Sequence, residues 1–197
     1  MVDVVEDATF SDEDWYAEEL TERSYVRCTF TRVDLTEAAS RGTVFEECTF
    51  GNVRFNASRH TDSAFLRCTF KRCNFFEAEF TGCKMIGSTF HQTTLRPLRV
   101  IGGDWSFVGL PGADLRGITV EAARMREADL TGANCADAVF TGVDLSGAQL
   151  HNVRFTGCDL RGSDLSALSP ATAELAGAII GAEQAVVIAQ SLGFEIR

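Results

Sequence analysis

No apolar run in this 197-residue chain approaches the ~20 residues that span a bilayer, which argues against a membrane protein. Residues 1–22 hold nine carboxylates and no Lys or Arg, so the basic start of a secretory signal is missing. The expected location is the cytoplasm, where the seven cysteines stay reduced. Those cysteines form no Cys-x-x-Cys, and none of the three histidines lies at metal-ligand spacing, so no metal site is expected. Neither a phosphate-binding glycine loop with Lys-Ser/Thr nor a Gly-x-Ser-x-Gly elbow occurs. Carboxylates are plentiful but do not gather in an apolar setting. An enzyme is not expected, and no cofactor is implied.

What is present is an ordinary globular balance, 45% apolar and 23% charged, with 15 Phe against 2 Tyr and 17 Gly against 3 Pro. The phenylalanines lie in register. Of the 32 positions reached by counting in fives from Phe10 to Leu165, 29 are large and apolar; the exceptions are Ser40, His60 and Cys135. Two residues before each large position the side chain is mostly small, as at Ala8, Cys28, Cys48, Ser88, Ala128 and Ser163. The residue between them favours Thr, Asp or Asn, and the fifth is often Gly. A period of five fits neither the 3.6 of a helix nor the 2 of a strand. It fits a four-sided coil with five residues to a side.

A longer period of twenty supports this. Ala8-Thr9-Phe10, Cys28-Thr29-Phe30, Cys48-Thr49-Phe50, Cys68-Thr69-Phe70 and Ser88-Thr89-Phe90 repeat once per expected coil. Residues twenty apart then stack at the ~4.7–4.9 Å spacing of neighbouring strands, and each coil hydrogen-bonds the coils on either side. The expected fold is all-β: a right-handed quadrilateral β-helix of roughly eight coils from Phe10 to Leu165, near 40 Å long. Six cysteines fall in the small inward slot and Cys135 in the large one, so all seven are expected to be core residues.

The register predicts four segments. Residues 1–95 form a Phe-rich half-solenoid. Residues 96–103, with Pro97, Leu98, Gly102 and Gly103, read as an irregular break or kink. Residues 104–180 form a Leu-rich half, and residues 181–197 an end module. Ala182 to Leu192 reads as a short helix stopped by Gly193, followed by a short strand at Phe194–Ile196. Ser40 and His60, twenty apart, are expected on a bulged or turned-out side, because inward polar groups would need partners. His91 and His151 read as surface residues.

The pattern resembles the pentapeptide-repeat family, small–Asp/Asn–Leu/Phe–any–any, with clean copies at Ala113-Asp114-Leu115-Arg116-Gly117, Ala128-Asp129-Leu130-Thr131-Gly132 and Ser163-Asp164-Leu165. Arg96-Pro97-Leu98, Asp114-Leu115-Arg116-Gly117 and the tail with Gln184-Ala185-Val186 and Gly193 resemble the MfpA-type fluoroquinolone-resistance branch. That resemblance implies a non-enzymatic rod that binds DNA gyrase by imitating duplex DNA and inhibits supercoiling. It also implies a homodimer joined through the C-terminus, with Val186, Val187, Ile188, Ala189, Leu192 and Phe194 as candidate contacts. A pentapeptide scaffold for a different protein partner is the alternative.

Charge bears on both readings. Net charge is −10, distributed as −9 over residues 1–22, +5 over 23–100 and −6 over 101–197. An acidic protein is no direct ligand for nucleic acid and suits a basic partner. The candidate gyrase-binding carboxylates are Asp104, Asp114, Glu121, Glu127, Asp129, Asp137, Asp144, Asp159 and Asp164. Spread over about three coils, roughly 16 Å, they approach one charge per ~1.7 Å, the density of duplex DNA. Five arginines in residues 101–165 reduce the net density to about one per 4 Å, so mimicry by charge is partial and shape must supply the rest.

Overall fold

A computed structural model describes residues 3–196, which form a parallel β-solenoid ending in one short helix. Each pairing joins residues twenty apart. One side of the solenoid stacks Thr9–Ser11, Thr29–Thr31, Thr49–Gly51, Thr69–Lys71 and Thr89–His91. A second stacks Asp3–Glu6, Arg23–Val26, Val44–Glu46 and Ala64–Leu66, and a third carries seven strands from Glu19–Thr21 to Val139–Thr141. The fourth is built of single bridges, Asp14 to Asp34 to Arg54 to Asn74 to Thr94 and then Asp114 to Asn134 to Arg154 to Glu174.

The fifth-position side chains fill the interior as the register requires. Phe30, Phe50 and Phe70 are fully buried, and rings one coil apart stack face to face: Phe30 on Phe50 at 4.7 Å, Phe50 on Phe70 at 4.9 Å, Phe70 on Phe90 at 4.7 Å. Rings from adjacent sides meet edge-on, Phe45 against Phe50 at 5.5 Å, which suits the aromatic quadrupole. Past residue 100 the columns change to Val, Leu and Met. Val100 and Val120 stand between Phe80 and Phe140 in one column and leave an apolar cavity of about 20 Å³ beside Trp105 and Leu110.

The small slot follows a hydrogen-bonding rule. Where the chain runs extended through a corner, the carbonyl of the large residue lacks a turn partner. In eight places the side chain 23 residues later supplies one: Cys28 to Val5, Cys48 to Tyr25, Cys68 to Phe45, Cys73 to Phe50, Cys83 to His60, Thr43 to Leu20, Ser88 to Phe65 and Ser163 to Phe140. At other corners the N–H three residues on takes that carbonyl, as in Phe55–Ser58, Trp105–Val108, Leu110–Ala113, Leu115–Ile118 and Met125–Ala128. The residue 23 later is then Ala: Ala78, Ala128, Ala133, Ala138 and Ala148. Desolvation raises the thiols of Cys73 and Cys83 to about 11, so these donors remain protonated, and raises that of Cys158, which stands where the Ala138 N–H has taken the Cys135 carbonyl, to about 12. All seven cysteines are free and buried.

The segment expected to be a break keeps the register. Arg96-Pro97 is cis, yet Leu98–Ile101 pairs with Ala78–Thr81 before it and Thr119–Glu121 after it at the same offset of twenty. The bulky Leu98 in the small slot is buried. Gly103 is obligatory: at φ +84° a Cβ there would stand 2.1 Å from the Cys83 carbonyl oxygen. The tail forms the expected helix, Ala182–Ser191, closed at Gly193 (φ +89°) by bonds from Gly193 N to Gln190 O and Phe194 N to Ala189 O. The expected strand at Phe194–Ile196 does not form: the Phe194 amide is spent on this helix cap, and residues 194–196 run as irregular chain.

Replacing Phe70 with Ala deletes a ring from the middle of a stack, and denaturant unfolding should register a loss of about 3–5 kcal/mol. A loss below about 1 kcal/mol would mean that the ring is not part of the close-packed core.

Candidate protein-interaction surface

The corners fix where surface carboxylates point. Asp104, Asp114, Asp129, Asp144, Asp159 and Asp164 each precede a large inward residue, and each accepts through Oδ1 the backbone N–H two residues on, at 2.8–3.4 Å. Aspartate suits this position because its short side chain reproduces a backbone turn. The second oxygen meets an arginine at Asp104, Asp114, Asp144 and Asp159.

The structure brings three of the nine sequence-predicted carboxylates onto one side. Lys84, Asp104, Arg124, Asp144 and Asp164 succeed one another coil by coil, so the row is interrupted by Arg124. Asp129 lies on the side with Gly109 and Gln149, Asp114 on the side with Asn134 and Arg154, and Asp159 on the side with Val139 and Ile179. Glu121 ends a strand of that last side, while Glu127 and Asp137 sit at corners with φ +54° and +56°. Arginines share several: Arg124 meets Asp104 at 3.0 Å, Arg96 and Arg116 meet Asp114 at 2.9 and 2.8 Å, and Arg161 meets Asp159 at 2.6 Å. Hydrogen bonds from Arg116 to Asp114, from Ser146 to Asp144 and from Arg161 to Asp159 hold those carboxyls below the usual range. Burial pushes Asp104 up, but bonds from Ser106 and Arg124 outweigh it and leave it lowered.

The basic run of residues 23–100 is largely spent on the acidic first coil and its successors. Arg27 pairs with Asp7 and Glu6, Arg32 with Asp12, Arg54 with Asp34, and Arg67 with Glu46 and Glu47. An acid at one corner and an arginine about twenty residues on is the sequence signal for this ladder.

The C-terminal helix covers the end of the solenoid through Gln184. Its amide nitrogen donates to the Leu160 and Ser163 carbonyls, both at 2.7 Å, and its oxygen accepts the N–H groups of Gly162 and Gly181 at 3.2 and 2.7 Å. The side chain thus does what the peptide groups of a further coil would do, a role that composition does not reveal. Of the predicted contact residues, Val186, Val187, Leu192 and Phe194 are exposed, joined by Ile179 and Ile196; Ala189 is half-buried, and Ile188 packs against the core.

Ser40 and His60 are not turned out. Both are buried, and His60 stacks on Phe80 at 4.7 Å. Partners supplied by neighbouring coils make this possible. Ser58 donates to the Phe55 carbonyl and accepts from His60 Nε2 at 3.0 Å; Ser40 donates to Nδ1 at 2.7 Å and contacts Ser63 Oγ at 2.8 Å. This arrangement satisfies a neutral imidazole. Among the described residues no group of three or more His, Cys, Asp and Glu is placed to hold a metal, and no helix is long and apolar enough to cross a membrane.

The pentapeptide-repeat family model matches residues 61–96 and 123–162 in eight copies. Within those residues the chain carries pentapeptide repeats. No curated protein sequence matches this chain. Among solved structures it is similar to a trypsin-treated form of QnrB1, a plasmid-mediated fluoroquinolone resistance protein, with a TM-score of 0.69 and 20% identity over 100% of this chain and 98% of that one. Full-length QnrB1 aligns with a TM-score of 0.51 and 20% identity over 97% of this chain and 100% of that one.

The buried histidine gives the fold a pH dependence. Desolvation lowers the His60 pKa from 6.5 to about 3. Below pH 6.5 the unfolded chain takes up a proton that the folded protein refuses. The stability present above 6.5 is therefore lost as pH falls toward 3, by about 1.4 kcal/mol per pH unit. Denaturant unfolding between pH 7 and 5 should show this slope, and His60→Phe should remove it while leaving every serine hydroxyl an acceptor. An equal slope in both proteins would place the titration elsewhere.

Proposed function

We propose that this pentapeptide-repeat protein binds DNA gyrase in place of a duplex DNA segment and so inhibits supercoiling, acting through its surface without catalysis. The observation that carries the reading is the set of six corner aspartates. Each is anchored through one oxygen to the backbone and presents the other at a fixed place on a solenoid of regular ~4.8 Å rise. Such an array is preorganised as phosphate oxygens are, so a basic groove binds it without first ordering flexible acids. Similarity to the fold of a fluoroquinolone-resistance protein supports the same reading. The interspersed arginines mean that a partner's cations must share or displace them, which favours a groove selected by shape as well as by charge.

In this reading Asp104, Asp144 and Asp164 lie on the side that meets the enzyme. Replacing all three with Asn preserves the corner turns, because the amide oxygen still accepts the N–H two residues on. The triple variant should keep the wild-type melting temperature within a few degrees, inhibit gyrase supercoiling less at moderate salt, and show a flatter salt dependence. Unchanged inhibition by the folded variant across a salt series would remove this side from the interface.

The exposed apolar groups Val186 and Val187 on the helix that closes one end of the rod, with Leu192, Phe194 and Ile196 just after it, support pairing of two copies there. A twofold contact would bury this patch and join two rods into one. Sedimentation at micromolar concentration should give a dimer, and Val187→Glu should give a monomer with unchanged solenoid stability. Wild-type sedimentation as a monomer would contradict the pairing.

A further inference from the structure

Every coil turns its corners through a residue in the left-handed region, and the occupants of that slot are conspicuously alike. They are Gly, as at Gly82, Gly87, Gly132 and Gly147; Ala, as at Ala17, Ala57 and Ala122; or a polar or charged residue, as at Asp62, Arg67, Glu127 and Asp137. Phe107, at φ +60°, is the exception among the described residues, the one aromatic in a conformation that costs any side chain and costs a bulky one most. The side chain is 55% exposed, and between residues 101 and 178 it is the one exposed large apolar group among the described residues. One coil before it stands Gly87, with no side chain to pack on the ring, and one coil after it stands Glu127. The backbone is firmly held, with Phe107 N bonded to Arg126 O at 2.9 Å and Gly87 N to Ser106 O at 3.0 Å, so the ring projects from a fixed base.

Its position joins it to the acidic row. Phe107 ends the side on which Asp104 lies, three residues earlier, and along which Asp144 and Asp164 follow. We propose that Phe107 is the hydrophobic anchor of this interface: its ring enters an apolar pocket on gyrase whose rim is cationic, to meet the row that holds Asp104, Asp144 and Asp164 and the Glu127 one coil on. The inference rests on the gyrase reading and deepens it. A projecting aromatic surrounded by charges fits the usual anatomy of an interface, in which a few buried aromatic groups supply most of the binding energy and a polar rim excludes water. Charge along the row would set the encounter, and the ring would set the lifetime of the complex.

The test uses Phe107→Gly, a change that the left-handed corner favours, so loss of fold does not confound it. Wild type, Phe107→Gly and Phe107→Tyr are compared for melting temperature, sedimentation and inhibition of gyrase supercoiling. The expected result is a Gly variant that melts at or above the wild-type temperature, sediments as wild type does, and needs at least tenfold more protein for half-inhibition. The Tyr variant should restore inhibition to within about twofold, because a ring with one added hydroxyl still fills the pocket and keeps its edge polar. Inhibition by the Gly variant equal to wild type overturns the anchor and leaves the gyrase reading standing. A wild-type protein that does not inhibit overturns both. A Gly variant that inhibits normally but changes its sedimentation assigns the ring to a second copy of this chain and likewise overturns the proposal.

Discussion

Each coil of this protein can satisfy its backbone only with the coils on either side, and that requirement governs the rest. Five residues per side and twenty per coil place every N–H and C=O in reach of a partner one coil away, provided that the offset never slips. A slip of one residue would turn the inward phenylalanines outward and put aspartates inside. The stacked rings therefore hold the register, and the register holds the hydrogen bonds. The segment with Pro97 and Leu98 shows how strict the constraint is: it departs from the repeat in sequence and still pairs Val100 with Phe80 and Val120.

The same constraint explains residue choices that packing alone does not. Cys, Ser and Ala are all small enough for the inward slot, yet their distribution is not arbitrary. In eight places the S–H or O–H goes to a carbonyl that no turn has taken, and Ala stands 23 residues after five of the carbonyls that a turn has taken. A carbonyl oxygen can accept two hydrogen bonds, and the side-chain donor supplies the one that a turn N–H supplies elsewhere, worth about 0.5–1.5 kcal/mol. Five of the eight donors are cysteines of the Phe-rich part, and four of the five alanines lie in the Leu-rich part.

The coil was legible in the sequence because the interior repeats one physical demand every fifth residue, and Phe10 through Leu165 answer it with few exceptions. The exceptions were harder. Ser40 and His60 break the apolar register, and a single-position reading turns them outward. Their burial depends on Ser58 and Ser63, which the register places in adjoining small slots but which composition does not mark as partners. Gln184 is similar, since a polar residue on an apolar helix gives no sign that its amide will stand in for a missing coil. On the surface, the aspartates were legible as a repeating slot, but their arginine partners depend on corner geometry across coils. Phe107 gave no signal in the register, because its interest lies in backbone conformation and exposure.

A surface that works by resembling duplex DNA must compete with duplex DNA. The most direct measurement follows a labelled linear duplex bound to gyrase by fluorescence anisotropy while this protein is added. Full displacement, with an apparent affinity that falls in proportion to the duplex present, is the result this account predicts. A ternary complex in which the duplex stays bound would contradict it.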